Sequence, residues 1–188
     1  MISVSDLRKG LKIEIDGEPY EVVDFQFVKP GKGQALYRCK IRNLVSGGTI
    51  DKTYRAADKI QKPDMHERDL TYSYADGDNF VFMDENYEQM LLGHEVIGEQ
   101  KAFLVEEIEV KVLFHNNRPI EITLPNFIER TIVETEPGAR GDTATNVNKS
   151  AKVQGGYEIA VPLFVNEGDT VRIDTRTGKY ADRVSKGG

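Results

Sequence analysis

The sequence predicts an all-β protein made of small barrels or sandwiches, and three observations carry that expectation. Apolar residues recur at every second position in short segments along most of the 188-residue chain. Turn dipeptides separate those segments at short spacing, among them Asp16-Gly17, Gly47-Gly48 and Asn116-Asn117. Helical periodicity is nearly missing, the exception being one helical turn expected around Gly98 to Leu104.

Leu11, Ile13 and Ile15 alternate with Lys12 and Glu14, and Asp16-Gly17 then signals a hairpin into a strand from Pro19 to Val28. In that strand Val23, Phe25 and Phe27 alternate with Asp24 and Gln26, so the former set is expected to face inward. Beyond a short tip, Tyr37, Cys39 and Ile41 alternate with Arg38, Lys40 and Arg42. Gly47-Gly48 turns the chain into Thr49 to Tyr54, and Lys62-Pro63-Asp64 reads as a linker. A second set of strands follows: Leu70 to Tyr74 and Phe80 to Met83 around Asp76-Gly77-Asp78, then Ile108 to Phe114 and Ile120 to Leu124 around Asn116-Asn117. Pro125-Asn126 breaks the pattern before Arg130 to Thr135, Tyr157 to Val165 and Val171 to Thr175. These breaks divide the chain into segments 1–64, 65–126 and 127–188.

The tip between the third and fourth runs is Val28-Lys29-Pro30-Gly31-Lys32-Gly33-Gln34-Ala35. Pro30 restricts its own φ and biases Lys29 toward extended backbone, while Gly31 and Gly33 allow positive φ on either side of Lys32. A tight, glycine-hinged turn holding Lys32 outward is expected. No Asp or Glu occurs from Phe25 to Ile50, where Lys29, Lys32, Arg38, Lys40 and Arg42 all lie, so the hairpin reads as a cationic finger.

Charge is polarised along the chain. Lys plus Arg against Asp plus Glu number 12 against 9 in residues 1–64, 4 against 13 in 65–126, and 9 against 9 in 127–188. The net charges of +3, −9 and 0 recover the overall −6. An acidic protein is ordinarily a poor ligand for phosphate backbones, but the basic first segment can face RNA while the acidic middle repels wrong contacts.

Enzyme chemistry finds no support. His66, His94 and His115 lack metal-ligand spacing and read as surface or hydrogen-bonded structural histidines, so neither a catalytic residue nor a metal ligand is assigned. Gly31-Lys32-Gly33 has neither the following Ser or Thr nor the strand-to-helix setting of a phosphate loop, and no G-x-S-x-G elbow occurs. Cys39 has no disulfide partner and reads as a buried thiol. The apolar runs are too short to span a bilayer and the N-terminus lacks a signal-peptide core, so a cytoplasmic monomer without membrane contact is expected. Two other binding classes compete: a general RNA-binding barrel using Arg38, Lys40 and Arg42, and a swinging-arm carrier with biotin or lipoate on Lys32. Carrier lysines sit among hydrophobic or acidic neighbours, unlike the glycine-flanked Lys32.

The tip is similar to that of the bacterial elongation factor P family. The resemblance extends to Asp6-Leu7-Arg8-Lys9-Gly10, to Glu136-Pro137-Gly138-Ala139-Arg140-Gly141-Asp142-Thr143, to Val161-Pro162-Leu163-Phe164-Val165 and to Asp174-Thr175-Arg176-Thr177-Gly178-Lys179-Tyr180, in family order. It implies three β-barrel domains in an elongated L shape, an N-terminal SH3-like (KOW-type) barrel followed by two OB-fold barrels. It further implies a translation elongation factor that binds the ribosome, its rRNA and proteins, beside the peptidyl-site tRNA. There it would relieve stalling at consecutive prolines, with the Lys32 loop positioning the CCA end and no catalysis of its own.

By the same resemblance, Lys29, Pro30, Gly31, Gly33 and Gln34 form the tip loop, and Lys32 receives a covalent extension of β-lysyl type from a lysine-modifying enzyme; no cofactor is implied. Arg38, Lys40, Arg42, Arg140, Thr145, Asn146, Asn148, Lys149, Tyr180 and Arg183 are the expected RNA-facing set. One departure stands out. Gly141-Asp142-Thr143-Ala144 follows the family, but Thr145-Asn146-Val147-Asn148 replaces the glycine-rich stretch expected before Lys149. Gly187-Gly188 is expected to fray.

Overall fold

A computed structural model describes residues 1–137 and 147–187. Strands dominate, and the described chain divides into two units, residues 1–67 with 113–121, and residues 68–112 with 122–188. In the first unit β1 (Ile2–Ser3) pairs with β6 (Lys59–Ile60), and a four-stranded antiparallel sheet runs in the order β2 (Lys12–Ile15), β3 (Glu18–Val28), β4 (Leu36–Asn43), β5 (Thr49–Arg55). Asp16 and Gly17, at φ 52° and 80°, make the tight connection between β2 and β3, as the dipeptide predicts.

Val4, Leu7, Ile13, Val22, Cys39, Ile41, Tyr54 and Ile60 form the core of this unit. The inward row of β3 differs from the expected one. A register shift between Val22 and Asp24 marks a bulge, which puts Val22 in the core, leaves Val23 half-buried and returns Phe25 to the inward face. Strict alternation cannot signal an extra residue, because a bulge changes the phase without changing composition. Burial pushes the Cys39 thiol above its ordinary pKa, and burial with smaller contributions from Cys39 and Asp58 pushes the Tyr54 phenol up to about 12.

A second sheet runs β11 (Arg118–Thr123), β10 (Glu109–His115), β7 (Met65–Asp76), β8 (Asn79–Met83), β9 (Gln89–Gly93). The expected helical turn is a short helix α1 (His94–Ile97) continued as 3-10 turns over Gly98–Phe103. The third sheet runs β14 (Glu158–Pro162), β13 (Asn148–Val153), β12 (Phe127–Thr135), β15 (Thr170–Asp174), β16 (Lys179–Ser185) around Ile132, Val153, Val161, Val165, Val171 and Ile173. No helix among the described residues is long and apolar enough to cross a membrane.

Two buried polar groups pin these elements: Arg130, which sequence reading did not single out, and His115, one of the histidines read as surface or hydrogen-bonded structural residues. Arg130, 8% exposed, donates to the carbonyls of Glu129 and Phe103, each at 2.7 Å, and so ties β12 to the end of the 3-10 segment. In the first unit His115, 5% exposed, donates from Nε2 to Glu14 Oε1 at 2.7 Å. His66 stacks on Phe114 at 5.3 Å, and the Asn116 amide donates to the Asp64 carbonyl, so the Asn116-Asn117 turn is fastened at three points. Replacing His115 with Ala strands the Glu14 carboxylate beside a new cavity. The expected loss is about 1–3 kcal/mol, read as a lower urea midpoint with an unchanged slope; an unmoved midpoint would contradict this role.

Candidate nucleic-acid interface

The β3–β4 pair continues past the last buried residues of its own two strands, Val22 and Cys39, with buried Tyr54 of β5 still opposite Tyr37. Its ladder pairs Phe25 with Cys39, Gln26 with Arg38, Phe27 with Tyr37 and Val28 with Leu36, and β5 follows alongside as far as Arg55 opposite Leu36. Cys39 is the last buried residue of β4 toward the tip, so three further residues at roughly 3.4 Å each carry the strand about 10 Å beyond it. The loop 29–35 stands at the end of this stalk, with Lys29, Pro30, Gly31, Lys32, Gly33 and Gln34 all exposed. Lys32 is displayed as expected, but on a loop longer than a tight turn.

The two glycines differ: Gly33 adopts the expected positive φ, at 156°, whereas Gly31 does not adopt positive φ. A Cβ built on Gly31 meets nothing within 4 Å, and one on Gly33 reaches only Pro30, at 3.9 Å. Neither local sterics nor a left-handed conformation requires glycine at position 31.

Charge along the stalk is graded. Register places Asp24 and Asp51 on either side of Lys40, and Arg42 pairs with Glu21 at 2.8 Å. Arg38 instead lies between Gln26 and Thr53. Among the described residues Lys29, Lys32, Arg38 and Lys40 make no ion pair, while Lys9 lies 3.7 Å from Asp24. The finger is therefore cationic at its tip and close to balanced at its base, because strand pairing brings back acids that lie just outside the acid-free run.

The remaining expected RNA-facing residues sit in the second unit. Arg140, Thr145 and Asn146 lie outside the described residues. Asn148 is exposed at the start of β13, and Lys149 donates from Nζ to the Glu136 carbonyl. Tyr180 and Arg183 face the same side of β16 despite their odd spacing, since a register irregularity pairs them with the inward residues Ile173 and Val171. Tyr180 packs against the core, and burial raises its phenol pKa. Arg183 reaches Asp169 at 3.4 Å, donates to the Phe164 carbonyl and lies 4.8 Å over the Phe164 ring. Both are tied to the barrel itself.

The whole chain can now be compared with known proteins. Residues 3–60 match the elongation factor P KOW-like domain, 65–122 the elongation factor P OB domain and 120–183 the elongation factor P C-terminal domain. Elongation factor P of Desulforapulum autotrophicum is 50% identical over 187 residues, covering 99% of this chain and all of that protein. That of Alkaliphilus oremlandii is 50% identical over 185 residues, covering 98% of this chain and all of that protein. The chain belongs to the elongation factor P family. Among solved structures, eukaryotic translation initiation factor 5A from Methanococcus jannaschii superposes with a TM-score of 0.57 at 27% identity, covering 65% of this chain and 91% of its own. Membership of the elongation factor P family assigns a role in translation elongation, and its KOW-like and OB descriptions agree with the barrel types expected from the tip motif.

Asp169 is the residue around which the end of this chain is organised, and sequence reading missed it. Its side chain, 4% exposed, accepts from the amides of Asn166 and Gly187 and from Arg183. Gly187 is thus held by a hydrogen bond of 2.7 Å, contrary to the fraying expected there, while Gly188 lies outside the described residues. Asn166 three residues before an aspartate was the available signal, but only the fold supplies Gly187 and Arg183. Burial alone would raise the Asp169 pKa; the two amides and the Arg183 charge outweigh it and hold the carboxyl below its ordinary value. With the folded pKa depressed, its stabilisation is full above the unfolded value and disappears as pH falls through the folded one. Thermal unfolding followed from pH 7 to pH 3 is expected to show Asp169→Asn less stable at neutrality and flatter across the acid limb than the parent. Equal acid limbs would refute the assignment.

Proposed function

We propose that this chain binds the ribosome beside the peptidyl-site tRNA and places the Lys32 tip against the CCA end, accelerating peptide-bond formation at consecutive prolines. The single observation that carries this reading is the tip itself: an exposed lysine, without an ion pair among the described residues, at the end of a stalk extending past the last buried residues of β3 and β4. Gly31 adds support. Neither conformation nor neighbouring atoms demand glycine there, and a missing side chain leaves the backbone open to close approach by an outside surface.

The arrangement offers donors and positive charge at Lys32, which supports a positional part for the protein. Proline is a conformationally restricted substrate, and fixing reacting groups in place is worth on the order of several kcal/mol. Lys32 orients the tRNA end by charge-assisted hydrogen bonds to phosphate or sugar oxygens, while Lys29 and Arg38 add phosphate contacts along the distal stalk. Lys40 contributes less, since Asp24 and Asp51 flank it, and Arg42 is committed to Glu21. In the second unit Asn148 meets RNA, whereas Tyr180 and Arg183 act by shaping the barrel that carries them. Residues 1–64, 65–126 and 127–188 act as three domains. A β-lysyl-type group, attached to Lys32 by a dedicated enzyme, lengthens the reach and adds donors.

A reconstituted translation system making a peptide with three consecutive prolines tests the reading, with host-purified protein, Lys32→Ala and a proline-free message as control. The expected outcome is selective acceleration that Lys32→Ala loses, while its unfolding free energy moves by no more than about 0.5 kcal/mol. No acceleration by the parent protein would sink the proposal. Salt-sensitive binding to isolated RNA that Lys32→Ala hardly alters would favour a general RNA-binding barrel.

A further inference from the structure

The stalk carries one feature that the tip does not explain. Phe27, a large apolar side chain, is 52% exposed close to the cationic loop. It pairs across the ladder with Tyr37, the ring centroids 5.1 Å apart and the planes at 61°, and Tyr37 in turn stacks with Phe25 at 6.0 Å and faces Tyr54 across β4 and β5. Tyr54 and Cys39 belong to the core; Tyr37 is half-buried; Phe27 is the outermost ring of the series. Phe27, Tyr37 and Tyr54 therefore form a row across β3, β4 and β5 at one level of the sheet, graded from buried Tyr54 through half-buried Tyr37 to exposed Phe27. A strand extension of this kind is soft unless cross-strand side chains hold it.

We propose that Phe27, seated edge-on against Tyr37, is a positioning residue: it braces the stalk and so sets where Lys32 arrives. The exposure of Phe27 follows from its place at the outer end of this row, since β2 pairs with β3 only over residues 18–21 and does not reach Phe27. The functional half of this inference rests on the ribosomal reading above; the mechanical half concerns the stalk alone.

Two measurements on the full chain separate them. Hydrogen exchange of the amides in residues 26–28 and 36–38 reads the brace directly. Phe27→Ala is expected to speed their exchange about two- to fivefold, the effect of losing one cross-strand aromatic pair, with β12 and β15 unchanged and Phe27→Tyr and Tyr37→Phe close to the parent. Unchanged exchange in Phe27→Ala overturns the brace. In triproline translation, Phe27→Ala is expected to lower the maximal rate roughly tenfold, as misplacement of a reacting group does, at an unaltered half-saturating concentration, with rescue by Phe27→Tyr. A raised half-saturating concentration at the parent's maximal rate overturns positioning and makes Phe27 a direct RNA contact. If Lys32→Ala equals the parent in translation, the ribosomal reading falls, and the exchange data alone decide whether the brace stands.

Discussion

The β3–β4 ladder is the constraint on which the functional part of the molecule depends. In a small barrel each backbone amide needs a partner on an adjacent strand, and this ladder keeps meeting that requirement past the last buried residues of β3 and β4. Three strands rather than two run as far as Leu36, so the projecting segment is paired on both sides of β4. That is why an exposed lysine can be presented at a set distance from the core instead of at the end of a wandering loop.

Charge and stiffness change along the stalk in opposite directions. At the base, Glu21 neutralises Arg42, and Asp24 and Asp51 border Lys40. Toward the tip the cations have no such neighbours, so the positive potential concentrates where a polyanion would first arrive. Packing runs the other way, from buried Cys39 through half-buried Tyr37 to exposed Phe27 and an open loop. The basic end is thus also the least constrained by its own fold, which suits a segment whose final geometry is shaped by what it meets.

Much of this was legible in the sequence because strand alternation and turn chemistry are local signals. Asp16-Gly17 and Asn116-Asn117 occur as turns with positive φ, and Tyr37, Cys39 and Ile41 face inward while Arg38, Lys40 and Arg42 face out. The strands that escaped notice, β1, β6, β9, β13 and β16, are short or polar; Asn148–Val153 shows its buried face only through Ala151 and Val153. Phase errors arose at bulges: Val22 replaces Val23 in the core, and Tyr180 and Arg183 share a face across an odd spacing. The polar clamps were invisible for a different reason. His115 and Glu14 are a hundred and one residues apart in sequence and meet only after folding, so no local pattern announces them.

If the protein works by position, as proposed, it has a particular distribution of rigidity to achieve. Its contribution to a reaction is the entropy it removes from the reacting partner, and it can remove no more than its own arm has already lost. An arm anchored by a paired ladder has lost most of that freedom during folding, before any partner arrives. Glycine at position 31 opposes this economy locally, because it restores backbone freedom at the point of contact where neither sterics nor positive φ asks for it. The two choices are compatible if the surface that approaches the tip comes closer than a Cβ would allow: the stalk then fixes where the backbone lies, and the bare glycine lets the partner reach it.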